Sequence, residues 1–410
     1  MIFNKIRLNL IFWILLFLLF YSNYTTNSFV YDNRIFFSVI FILSIIFRFF
    51  RLKNKVLVLD IPSKILIFSY SVLAFLDLAK GLYASALGSL MLVLIILIIN
   101  SYNFKEIFNQ IVNLNRFNNF LSLIFLITPI IYFDSNTARN VLGLPVPYFL
   151  SYTSQASLIP ALLMLPLAIY FLFYVKYHKF NFLLLTIAIS FGGNVYTSIV
   201  VACIFYFIIN KFSKFIFIAT PFFLMIIFTV SLYTIGSSFF DKTAELRAQV
   251  RIAKANNDSN TLDWKMERTI SGTERLAFYY DQIKSFKVNL FWGSSSSNDF
   301  QSLGSLILKF GIRGGILILF TMSYFLAYLL NELYKFNNEF ANKKLGVVLL
   351  YSLIIQAVVY NEMGFYSHYA LVLLFIVYKL LKAKNTELQS NEVDLVSIQS
   401  SDNQNIIQIL

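Results

Sequence analysis

The chain has 410 residues, 58% of them hydrophobic and only 13% charged, with a formal net charge of +13. A charged share about half that of a soluble domain, with 46 Phe, excludes an ordinary water-soluble enzyme and places the chain in the polytopic membrane class. The lone Cys203 excludes a disulfide framework and a cysteine-based metal site, and long apolar runs rather than short alternating ones exclude a membrane β-barrel.

The amino-terminal stretch has a basic start (Lys5, Arg7) and an apolar run to Tyr21. Ser22-Asn23-Tyr24-Thr25-Thr26 offers no small-x-small cleavage site, so an uncleaved first helix is expected. A bilayer core of roughly 30 Å takes about 20 apolar helical residues per span. Apolar runs then predict an all-α chain of twelve helices, at about 8–21, 35–50, 65–79, 82–100, 119–133, 158–175, 180–192, 195–210, 214–235, 312–330, 345–360 and 366–381. The transmembrane domain covers 1–384, with one large external loop at 236–300. From 385 to 410 the chain is rich in Asn, Gln, Ser and Glu and reads as a disordered cytoplasmic tail.

Charge gives an independent reading of orientation. With the amino terminus cytoplasmic, 19 basic residues fall on inside segments: Lys5, Arg7, Arg48, Arg51, Lys53, Lys55, Lys64, Lys105, Arg116, Lys176, Lys179, Lys211, Lys214, Lys335, Lys343, Lys344, Lys379, Lys382 and Lys384. The short outside loops hold only Arg34, Lys80 and Arg139, the asymmetry that the positive-inside rule describes. The positive charge is therefore mostly a topology signal, and no nucleic-acid partner is expected. Both termini fall in the cytoplasm and the large loop outside it.

That loop, from Phe240 to Asp299, interrupts an otherwise apolar sequence with nine basic and eight acidic residues and two of the three tryptophans, Trp264 and Trp292. In Thr243–Ala255, Arg247, Arg251 and Lys254 recur beside the apolar Leu246, Val250 and Ala253. Such a helix either lies on the membrane with its cations toward lipid phosphates or is an ordinary amphipathic helix with a solvated face. Ser271-Gly272-Thr273-Glu274 has the S-x-x-E form of a capping box and opens a helix carrying Arg275, with Leu276, Tyr280 and Ile283 on its apolar side. That helix ends near Phe291-Trp292-Gly293. An earlier external loop, Asp134 to Ser157, holds Arg139, Asn140 and Gly143 ahead of Pro145 and Pro147. It is long for a mere connection. Arg139 there is either a membrane-interface anchor or a ligand contact.

Ser271-Gly272-Thr273-Glu274-Arg275, then Asn289-Leu290-Phe291-Trp292-Gly293, then Leu306-Ile307-Leu308-Lys309-Phe310-Gly311-Ile312-Arg313-Gly314-Gly315 together resemble a run in the bacterial O-antigen polymerase and ligase superfamily. There the run leads from the large external loop into the next span. Arg139-Asn140-Val141-Leu142-Gly143, followed by prolines, resembles an arginine-containing element of an earlier loop in the same superfamily. The likeness covers roughly 135–180 and 270–330. Two departures stand out: Gly192-Gly193-Asn194-Val195-Tyr196 lacks the arginine the family often has there, and the loop has no histidine near Phe300, where the ligase branch has one. The chain's histidines are His178, on a predicted cytoplasmic turn, and His368, at the start of the last predicted span.

The resemblance implies a glycosyltransferase that polymerises O-antigen or capsule repeat units. Its donor would be an undecaprenyl-pyrophosphate-linked oligosaccharide, its setting the lipids of the bacterial inner membrane, and a chain-length regulator protein a further partner. The sister ligase and a lipid-linked oligosaccharide flippase are the alternatives. No nucleotide fingerprint, phosphate-binding loop, nucleophile elbow or metalloprotease motif occurs, so neither a cofactor nor a metal is expected. Departure of pyrophosphate calls for arginine forks, for which Arg275 and Arg139 come first, then Arg247 and Arg251, with Arg268 beside them. Deprotonation of the acceptor hydroxyl calls for a carboxylate: Asp299, then Asp281 or Glu274. Asp299 could equally cap a helix beginning at Phe300. Trp292 and Tyr280 could stack on sugar faces.

Overall fold

A computed structural model describes residues 39–40, 42–44, 46–47, 50, 59–102, 107, 138–141, 144–147, 168–173, 213–255, 280, 283, 290–293, 305–339, 343–359 and 371–386. Apart from one two-stranded hairpin, its regular elements are helices: α1 (Ile61–Ala79), α2 (Tyr83–Asn100), α3 (Lys214–Ala255), α4 (Leu306–Glu339), α5 (Lys344–Val359) and α6 over 371–386. Strands β1 (Ala138–Val141) and β2 (Leu144–Pro147) pair antiparallel, with Arg139 opposite Val146. Among the described residues three helices are long and apolar enough to cross a membrane, Ile61–Ala79, Lys214–Thr234 and Leu306–Asn338. Helices Ser85–Asn100 and Lys344–Val359 are apolar but shorter.

Helix α1 begins where Asp60 caps it, its Oδ1 accepting from the Ser63 amide at 3.1 Å, with Pro62 in the first turn where no N–H is needed. It ends at Lys80, and the backbone turns through Gly81 and Leu82, with the Leu82 amide donating to Asp77 O at 2.8 Å. The expected division of two spans near Gly81 therefore holds. Helices α1 and α2 form an antiparallel pair, and Tyr70, Leu73, Ile95 and Ile99 pack fully buried within the common core. Where α4 crosses α1, the Ser69 hydroxyl donates to Thr321 Oγ1 at 2.7 Å.

Three elements depart from the sequence reading. The expected span at 214–235 and the expected separate helix at Thr243–Ala255 are one helix of 42 residues, α3. Between the two pieces, 236–242 holds no Pro, and its single Gly236 weakens a helix without ending one, so the first piece runs on into the second. At ~1.5 Å per residue α3 extends for ~63 Å, about twice a hydrocarbon thickness. It tolerates Pro221 because the carbonyl that loses its helical donor, Phe217 O, accepts from the Tyr351 hydroxyl of α5 at 2.7 Å, beneath a stacked Phe217–Tyr351 ring pair. The expected span at 312–330 starts earlier, at Leu306, and is broken at Gly315. Finally, α6 runs to residue 386, and Asn385 is buried, donating to Glu332 O and Oε2 at 3.2 and 2.9 Å. The expected start of the tail at 385 is thus held by hydrogen bonds to α4.

The far end of α6 meets the start of α1. Asp60 Oδ2 accepts from Tyr378, Lys379 and Lys382 at 3.1, 3.4 and 2.9 Å, and Asn100 Oδ1 accepts from Ser63 and Lys379 at 3.0 and 2.9 Å. The Asp60 carboxylate therefore staples the amino-terminal end of α1 to the last turns of α6, and Asn100 joins the carboxyl-terminal end of α2 to both.

Candidate functional site

At the opposite end of α1 the described residues hold their one buried arginine–carboxylate pair. Arg313 is 6% exposed and Asp77 fully buried. Arg313 Nε donates to Asp77 Oδ1 at 3.2 Å and Nη2 to Asp77 Oδ2, while Nη2 also reaches the hydroxyls of Ser85 and Ser89 on α2. Moving two charges into an apolar interior costs several kcal/mol per ion unless each is paired and hydrogen-bonded. Here the fork, the carboxylate and two serines from three helices meet that requirement together.

The pair sits at the break in α4. Gly315 has φ 78° and ψ −173°, a conformation that L side chains rarely adopt, so the helix of 306–314 stops and a second begins at Ile316. A break frees backbone groups, and two of them find partners from other parts of the chain. The Ile316 amide donates to Leu290 O at 2.8 Å instead of to its own helix. Arg313 O accepts from Lys80 Nζ at 3.0 Å, and the same ammonium donates to Trp292 O at 2.9 Å. Burial lowers the pKa of Lys80, opposed by the charge of Asp77 and assisted by that of Arg313.

Residues Leu290–Gly293 form a turn seated on that break. Gly293 also has a positive φ, 70°, and a Cβ there would collide with Arg313 O and lie 2.7 Å from Ile312 O. A Cβ on Gly315 would collide with Phe291 O. Two glycines thus face two carbonyls across the contact, and the backbones approach as closely as they do only because both side chains are absent. The side chains of Phe291 and Trp292 project outward, 71% and 72% exposed.

Of the residues expected to act, Trp292 lies in this turn. Tyr280 is helical, its ring 6.2 Å from that of Tyr233 on α3. Arg139 lies in β1, and Arg247 and Arg251 lie along the extension of α3. Arg268, Glu274, Arg275, Asp281 and Asp299 lie outside the described residues. In the sequence Lys80 reads as an outside-loop charge and Arg313 as part of the family-like run, and neither points to Asp77. The signal that could have joined them is an acid and an arginine, each inside an apolar run, since such residues pair with one another in a bundle interior.

No protein-family model matches this chain, and neither a curated protein nor a solved structure does.

Proposed function

We propose that the chain is a polysaccharide polymerase of the O-antigen type, a polytopic protein of the bacterial inner membrane. In this reading it has about twelve spans and cytoplasmic termini, and its large charged loop lies on the periplasmic side. The acceptor hydroxyl of an incoming repeat unit attacks the anomeric carbon of the donor glycan, the bond from that carbon to the pyrophosphate oxygen breaks, and undecaprenyl pyrophosphate leaves with the electron pair. Arg275 and Arg139, then Arg247, Arg251 and Arg268, would neutralise the leaving group, and Asp299, or else Asp281 or Glu274, would take the proton. Because the donor is already activated, the reaction requires no nucleotide.

One observation carries the reading. Two pieces of the family-like run, of which the structure describes Leu290–Gly293 and Leu306–Gly315, are separated in sequence yet fold into a single docked unit, with a glycine from each facing a carbonyl of the other. A shared unit of this kind explains why both pieces occur together. A second reading, a flippase for lipid-linked oligosaccharides, draws on the broken α4 and the buried Arg313–Asp77 pair, features typical of transporters. The polysaccharide ladder of a deletion strain separates the possibilities. A single repeat on the lipid core supports the polymerase, bare core with long undecaprenyl-linked chains indicates the ligase, and repeat units held on the cytoplasmic side indicate the flippase.

A further inference from the structure

Helix α1 has 19 residues, which at ~1.5 Å each span ~28 Å, close to the ~30 Å hydrocarbon core of a bilayer. Its two ends differ in chemistry. The Asp60 end carries the Lys379 and Lys382 ion pairs. The other end carries large exposed aromatics: Phe75 and Tyr83 flank the α1–α2 turn, and Phe291 and Trp292 stand on the turn docked beside it, all four at least 70% exposed. Phe68, Phe75 and Leu78 are exposed at i, i+7 and i+10 of α1, so the aromatic end crowns an apolar helix flank. Tryptophan and tyrosine gather at membrane interfaces because a large apolar ring and one polar atom suit a layer that is oily on one side and wet on the other.

We propose that the Leu290–Gly293 turn is a membrane-interface anchor. Phe291 and Trp292 sit in the headgroup layer of the bilayer, and the turn, latched by Lys80 and by the glycine contacts at Gly293 and Gly315, fixes the carboxyl-terminal foot of the charged segment at that level. The partner is lipid, which takes Trp292 away from the sugar. This inference rests on the membrane reading above and not on the glycan chemistry. A charged segment tethered at the headgroups would keep its cations where a lipid-borne pyrophosphate emerges.

The test is depth-resolved quenching of Trp292 in the full chain with Trp13→Phe and Trp264→Phe, reconstituted into phosphatidylethanolamine–phosphatidylglycerol vesicles. Lipids brominated near the top of the acyl chain should remove most emission, lipids brominated near its end less, and aqueous iodide little. Strong iodide quenching with none from brominated lipid overturns the anchor, and so does maximal quenching from the chain ends. If the tryptophan-depleted chain fails to fold, a nitroxide at Phe291→Cys in a Cys203→Ala background reads the same depth. Greater access to oxygen than to a soluble nickel chelate supports the anchor, and the reverse overturns it. Flotation separates the two levels of failure: a chain that does not float with the vesicles sinks the membrane reading, and one that floats with a water-exposed turn sinks the anchor alone.

Discussion

Arg313 and Asp77 stand 236 positions apart in the sequence and meet as a buried ion pair in which two guanidinium nitrogens address the two carboxylate oxygens. A pair of this kind stabilises little relative to well-packed apolar residues, but removing one partner strands the other charge, at a cost of about 3–5 kcal/mol. Arg313→Met and Asp77→Leu alone should each lower the thermal midpoint of the detergent-solubilised protein strongly, whereas the two together should recover most of the loss. Single variants as stable as wild type would show that the pair does not hold the bundle.

Lys80 makes two hydrogen bonds from one ammonium, to Trp292 O and Arg313 O, and so links the docked turn to the broken helix. A hydrogen bond to a charged group contributes about 1.5–3 kcal/mol, which corresponds to roughly 10- to 100-fold in a local opening equilibrium. In Lys80→Met, the amide of Ile316 and those of the turn should exchange with deuterium faster by about that factor. Gly293→Ala should do the same from the other side of the contact, while α5 keeps its wild-type rate in both. Unchanged exchange at Ile316 in Lys80→Met would remove the lysine from the latch.

Much of the helical framework was legible because apolar runs mark helices of this length irrespective of their neighbours. Helices α1, α2 and α5 begin and end within a few residues of where the runs do. The expected boundaries failed where a local signal was absent or a distant partner decided. No residue between Gly236 and Ala255 stops a helix, so α3 continues, and the composition of the tail could not reveal that Asn385 has Glu332 as a partner. The break at Gly315 was visible as Gly314-Gly315 but not interpretable, because what fills it, Leu290 O and the Lys80 ammonium, comes from other parts of the chain. Lys80, Asp77 and Arg313 each looked unremarkable alone. Their chemistry lies in the juxtaposition, which a pattern along one chain does not encode.

At the other end of α1 the staple at Asp60 should respond to acid. Burial alone would raise the Asp60 pKa, but the hydrogen bond from Ser63 and the bonds and charges of Lys382 and Lys379 outweigh it and hold the carboxyl well below the usual range. A carboxylate depressed on folding contributes stability that is fully present above its unfolded pKa, about 3.9, and is lost as pH falls through the lower folded value. Asp60→Asn should therefore be less stable than wild type by a constant margin at pH 5 and above, about one unit over that unfolded value, and the margin should shrink below about pH 4. Thermal midpoints of both forms across that range measure it, and a margin that does not shrink in acid would mean that the carboxylate charge is not what holds the staple.

For the proposed reaction, Arg275 is the first residue to change. An arginine fork grips phosphate oxygens through two parallel bonds, whereas lysine offers a point charge. Loss of one such donor at a developing charge costs about 2.7–4 kcal/mol, roughly 10²–10³ in rate. Arg275→Ala should abolish chain extension with the protein still present in the membrane, and Arg275→Lys should restore only a short ladder. Full-length polymer from Arg275→Lys would reduce the residue to a plain charge, and polymer from Arg275→Ala would remove it from the site.

Asp299 separates proton transfer from capping. As the base, it must accept a proton, and an amide of the same shape cannot, so Asp299→Asn should be nearly inactive, a loss of about 10²–10⁴-fold. As a cap for a helix that begins at Phe300, asparagine should serve as well as aspartate, since the two rank together at that position, and only Asp299→Ala should cost about 1 kcal/mol. The two substitutions therefore pull apart: a base loses function with either, whereas a cap loses a little stability with alanine alone. Polymer ladders at matched protein levels, read beside thermal midpoints, distinguish them. A wild-type ladder from Asp299→Asn would end the base assignment and move the search to Asp281 and Glu274, the other carboxylates of the charged segment nearest the arginine at 275.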